Sequence, residues 1–132
     1  MNFESLFVNP NGRTSRSHYI PALLTLLAAI CFYVFLVTGL TAKWCTVVLL
    51  FPTVILHARR LHDMGHTAWL LLVPVALLIA AFAIWLRLAD FGAQMNGVVP
   101  LSALAVSAAF VGWGCLGKGQ SEVNRFGAPV AA

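Results

Sequence analysis

The sequence predicts an all-α membrane protein: four transmembrane helices in a compact bundle, joined by short loops, with both termini in the cytoplasm. Three observations predict it. Hydrophobic residues make up 61% of the 132 residues and charged residues only 9%, whereas soluble domains are about 45–50% apolar. The apolar residues gather into four runs, about 19–40, 44–61, 68–87 and 98–116, instead of spreading among polar ones at helical or strand period. Basic residues alternate unevenly between the two sides. Arg13, Arg16, Arg59, Arg60, Lys118 and Arg125 share one, and only Lys43 and Arg87 take the other, which puts the first set in the cytoplasm.

Residues 1–18 form a cytoplasmic segment that is too polar and turn-rich for a signal peptide, with Asn9-Pro10-Asn11-Gly12 where an apolar signal core would lie. Phe3, Leu6 and Phe7 have helical spacing and would lay one amphipathic turn on the membrane surface. Thr14 or Ser15 would cap a first helix entering lipid at Tyr19, with Pro21 in its first turn, where a missing N–H costs nothing. Its 22 residues, 19–40, give about 33 Å of helix, enough to cross. Gly39, Thr41 and Lys43 mark the exit.

The second apolar run, 44–58, gives only about 22 Å against a hydrocarbon core near 30 Å, so its helix must borrow residues beyond Ala58. Arg59 and Arg60 are thereby drawn to the boundary, with stems along lipid or neighbouring helices and guanidinium groups at headgroup phosphates. Pro52 kinks this span. Gly65 stops the helix and Thr67 caps the third span, 68–87, after which Arg87 and Asp90 can pair at the surface. Residues 91–97 read as a loop. The fourth span, 98–116, has Pro100 in its first turn and a stripe of Ala105, Ala108, Ala109 and Gly112 suited to close helix packing or self-association. Gly112, Gly114 and Gly117 loosen its end. Residues 117–132 form a cytoplasmic tail expected to dock through Asn124 and Arg125 on the island 59–66. Trp44 and Trp85 fall near one interface, and Trp69 and Trp113 near the other. Cys31, Cys45 and Cys115 lie within apolar runs and read as small membrane hydrophobes rather than a disulfide framework.

Three polar blocks stand on the basic face: Gly12-Arg13-Thr14-Ser15-Arg16-Ser17-His18-Tyr19, then Arg59-Arg60-Leu61-His62-Asp63-Met64-Gly65 with Trp69 beyond, then Asn124-Arg125-Phe126-Gly127. This pattern resembles the domain of unknown function 805 family of small bacterial inner-membrane proteins over nearly the whole chain. Ile20, His66 and Ala68 depart from it, standing where the family tends to have an aromatic residue, arginine and glycine. The resemblance implies a fold and a location in the bacterial inner membrane, and no activity.

The residues themselves suggest three chemistries for the island. Arg13, Arg16, Arg59, Arg60 and Arg125 converge on one face and would bind phosphate of an anionic lipid headgroup, or a partner, through their planar forks. Asp63, three residues after Arg60 and four after Arg59, would hold the arginine geometry, and Asn124 would pair with it from the tail. His57, His62, Asp63 and His66 could be metal ligands, although Gly65 breaks the helix that His62 and His66 would share and the arginines repel a cation, so no metal or cofactor is expected. His62 and Asp63 could serve as acid and base of a small membrane enzyme acting on a phosphate-containing lipid, but no nucleophile motif, second carboxylate or glycine-rich phosphate loop accompanies them. No charged residue stands at mid-depth of a span, as a transporter's coupling site would require. The net charge of +4 suits anionic lipid, not nucleic acid. The expected function is therefore a non-enzymatic binding or structural module, with lipid, a second copy or a membrane protein as partner.

Overall fold

A computed structural model describes residues 7–129 of the chain. Four helices in it are long and apolar enough to cross a membrane, and the described residues form no strand. Helix α1 runs Arg16–Cys31 and continues as a π-helical turn, Phe32–Leu36. Helix α2 spans Leu40–Asp63, α3 joins a 3₁₀ turn, Ala68–Leu71, to Leu72–Trp85, and α4 spans Ala93–Leu116.

Helix boundaries differ from the expected ones for local reasons. Helix α1 starts at Arg16 because the Ser15 carbonyl accepts the N–H groups of both His18 and Tyr19, at 3.2 and 2.9 Å. The Ser15 hydroxyl turns to Ser17 and the His18 ring rather than capping, and Pro21 falls in the second turn. At its other end the span stops at Leu36, since Val37 is extended and Gly39, at φ 93°, begins the next helix. Residues 40–43 thus belong to α2, whose 24 residues give about 36 Å. The short apolar run borrows length at both ends.

Gly65 ends α2 in a Schellman turn: at φ 84° it donates to His62 O, and His66 donates to Leu61 O. The same turn ends α3 with Arg87 at φ 60° in the glycine position, donating to Ile84 O while Leu88 donates to Ala83 O. Asp90 does not pair with Arg87. Its Oδ1 accepts from Gly92 N at 2.8 Å and from the Asn96 amide at 3.1 Å, which holds its carboxyl below the usual carboxylate range. That turn starts α4 at Ala93, so most of the expected 91–97 loop is helix and Pro100 is interior.

The core lies in the half of the bundle that contains the end of α2. One cluster packs Tyr19, Ala22, Leu23 and Leu26 of α1 on Leu56, with Phe7 against it. Phe7 therefore packs inward, while Phe3 and Leu6 lie outside the described residues. The other cluster joins Ala58, Leu61 and Met64 to Leu71. Every residue from Ile55 to Met64 is buried, so the end of α2 is enclosed on all sides. Ala105, Ala108 and Ala109 are exposed, and a Cβ at Gly112 would meet nothing. The small-residue stripe faces outward. Close approach occurs instead at Gly114, where a Cβ would lie 2.6 Å from the Tyr19 hydroxyl. Gly114 is buried and seats α4 on α1, the opposite of loosening the helix end. The three cysteines are free.

Candidate functional site

The last turns of α2 carry Arg59, Arg60 and Asp63 into the protein, not along lipid. Asp63 bridges two guanidinium groups. Its Oδ2 accepts from Arg60 Nη1 at 2.5 Å, and its Oδ1 accepts from Arg13 Nε at 3.1 Å. Arg13 and Arg60 are each 1% exposed and Asp63 5%, so this is a buried ion triad. Such burial requires every donor to be matched. Arg60 is matched by carbonyls at the C-terminal end of α4, Gly114 O at 2.8 Å and Gly117 O at 2.6 Å, where the helix dipole favours a cation. Arg59 is turned away from Asp63. It donates to Thr14 Oγ1 at 3.0 Å, Arg13 O at 3.0 Å, Asn9 O at 3.2 Å and Asn11 O. In return Thr14 N donates to Arg59 O at 3.1 Å. One arginine thus fastens the N-terminal segment to α2, and the other fastens the end of α4.

Arg13 fastens the tail. Its Nη1 donates to Glu122 O at 2.9 Å and Gly127 O at 3.1 Å, and its Nη2 to Gln120 O and, at 3.3 Å, Asp63 O. Gln120 N donates to Asp63 O at 2.7 Å, and the Asn124 amide to His62 O at 3.1 Å. Phe126 stacks on His62 with ring centroids 3.9 Å apart and planes 9° from parallel. The other face of this joint is the N-terminal turn, because His62 Nδ1 donates to Gly12 O at 2.9 Å. Blocks far apart in sequence, 12–19, 59–65 and 124–127, therefore meet in one cluster.

The family model described as a protein of unknown function, DUF805, matches residues 7–128, which is nearly the whole chain. The chain belongs to the DUF805 family. No curated protein and no solved structure matches it.

Within this DUF805 cluster the predicted site residues divide into two sets. Arg13, Arg59, Arg60 and Asp63 face one another and main-chain carbonyls. Arg16 is exposed, with one bond, from Nη2 to Gly117 O at 3.0 Å. Arg125 is also exposed, its guanidinium 4.8 Å from the Phe126 ring centre, so the tail docks through Asn124, Phe126 and its own carbonyls and not through Arg125. Between the start of α1 and the tail lies a crevice of about 690 Å³. Arg16, Ser17, Ile20 and Pro21 form one wall, Gly119 to Ser121 the other, and Arg60 with Asp63 the floor. The N–H groups of Arg16 and Ser17 precede the first helical bond and have no carbonyl partner in α1.

The histidines separate. His57 donates from Nδ1 to Thr53 O and, in the neutral ring, accepts from the Tyr19 hydroxyl at Nε2, 2.9 Å away. His66 tilts against Trp113. Among the described residues no three His, Cys, Asp or Glu side chains gather as metal ligands. As an acid–base pair His62 and Asp63 are poorly placed, since each is enclosed and Asp63 has a guanidinium on both oxygens. Not announced by the sequence are Thr14, Gly114 and Gly117 as arginine partners, Gly12 as the acceptor of His62, and Tyr19 with His57 as a pair. Two polar rings in otherwise apolar runs were the available signal for the pair.

Proposed function

We propose that this DUF805 chain is a non-enzymatic module of the bacterial inner membrane, with both termini in the cytoplasm, whose basic face binds the phosphate of anionic lipid headgroups. The observation that carries this reading is the crevice beside the start of α1, with the exposed Arg16 at its edge and the ion-paired Arg60 and Asp63 in its floor. The roles of the arginines differ. Arg13, Arg59 and Arg60, with Asp63 and Asn124, hold the N-terminal segment, α2, α4 and the tail in register, and so form the crevice. Arg16 makes the direct phosphate contact, helped by the N–H groups that open α1, while the exposed Lys118 and Arg125 add positive charge to the same basic face. Ile20 and Pro21 continue the wall toward the bilayer, where the acyl chains of the same lipid would run. The excess of basic residues on this side supports the cytoplasmic orientation.

Native mass spectrometry of protein released from bilayers containing phosphatidylglycerol tests the reading. A hydrogen bond to a charged group contributes about 1.5–3 kcal/mol. Arg16→Gln is therefore expected to lower lipid retention by roughly tenfold or more while the protein stays folded, and Arg59→Gln to lower thermal stability first. Lipid retained in full by Arg16→Gln would overturn the assignment. A polypeptide retained in its place would identify a partner protein as the ligand of this face.

A further inference from the structure

The two ends of the bundle are built differently. Buried side chains crowd the polar end, whereas the opposite half has few, among them Ala42, Thr46 and Ala103. In that half the four helices border an open apolar cavity of about 500 Å³, lined by residues such as Val34, Thr46, Leu50, Leu78, Trp85 and Ala103. Two backbone irregularities lie in its walls, the π-helical turn of α1 at Val34 and Pro100 of α4. The one hydroxyl in the lining, Thr46 Oγ1, donates to Ala42 O at 2.9 Å. Nothing in the wall offers a water the two to four partners it needs. Unfilled, the space would cost its lining side chains their dispersion contacts. Hydrocarbon fills it without loss, because a lipid tail is as apolar as the leucines around it.

A cation stands at the rim. Lys43 Nζ lies 5.3 Å from the centre of the Trp85 ring, which itself lines the cavity, and donates to Trp85 O at 3.1 Å. An ammonium has three donors, so two remain for a ligand. We propose that this cavity holds one acyl chain of a phospholipid from the leaflet opposite the arginine cluster, with the phosphate of that lipid on Lys43. The site is independent of the crevice beside α1 and differs from it in having no charged group below its rim.

Photolabelling tests the proposal. The protein is placed in bilayers containing phosphatidylglycerol with a diazirine at mid-chain, irradiated, digested and mapped by mass spectrometry. Label is expected to concentrate on Leu50 and Leu78, above the level on the outward-facing Phe51 and Ile79. Ala103→Phe and Ala81→Phe, two separate ways of filling the space, should each lower cavity labelling at least fivefold and leave Phe51 and Ile79 unchanged. Lys43→Gln should lower it several-fold, and Lys43→Arg should restore it. Equal labelling of inward and outward positions in the unaltered protein would overturn the proposal, as would cavity labelling that survives both phenylalanine variants. Loss in those variants with no response to Lys43→Gln would overturn the phosphate contact.

Discussion

Replacing Asp63 by alanine removes the one carboxylate in the cluster and leaves Arg13 and Arg60 buried without a counter-charge. Breaking one partner from a buried pair costs about 3–5 kcal/mol. The carbonyl bonds of both guanidinium groups remain, so the lower half of that range is expected for overall stability. The effect should be visible locally as well. Arg13 holds the tail at Gln120, Glu122 and Gly127, and its Nε bond to Asp63 sets the plane of its fork. If only about 1.4 kcal/mol of the loss falls on tail docking, the undocked population rises roughly tenfold. Trypsin reports that population when docking is fast relative to cleavage. Exposed Lys118 and Arg125 provide the cut sites. Cleavage in Asp63→Ala is expected at least about tenfold faster than in the unaltered protein, at a protease concentration where the rate is linear. A tail cut at the unaltered rate, with the thermal midpoint also unchanged, would refute the bridging role of Asp63.

Two further outcomes follow from the packing. Gly114→Ala places a Cβ against the fully buried Tyr19 hydroxyl and should cost about 1–3 kcal/mol, measured as a lower thermal midpoint in detergent; a midpoint equal to that of the unaltered protein would count against the α1–α4 contact. Arg87→Gly relieves a positive φ in the turn that ends α3 and should stabilise by up to about 1 kcal/mol; a destabilised variant would show that the Arg87 side chain makes a contact worth more than the strain.

Membrane spans were legible because they rest on composition over about 20 residues, a signal that local detail does not disturb. Their ends were not. The exit assigned to the first span at Gly39 belongs to the start of α2, since a glycine between two apolar runs reads equally well as the stop of one or the cap of the other. Spacing points Asp90 to Arg87, yet the Gly92 N–H and the Asn96 side-chain amide at the start of α4 compete for the same carboxylate. At the site, the pairing of Asp63 with Arg60 follows from helical spacing, and the structure has it at i,i+3. The contact with Arg13 spans fifty residues and follows from no period. Most arginine partners are carbonyl oxygens, which every residue carries and no side chain announces. This is why a cluster of arginines read as ligand donors includes three that face the chain itself.

That last feature decides how the tail can vary. Arg13 grips the main-chain oxygens of Gln120, Glu122 and Gly127, so what it recognises is a path of the backbone rather than a set of side groups. Glu122 and Val123 point outward and are replaceable without touching the grip. Proline at Gln120 would instead remove the N–H that reaches Asp63 O, and no change of side-chain chemistry elsewhere in the segment would substitute for it. The tail is thus a segment whose course is fixed while most of its surface remains free to be rewritten.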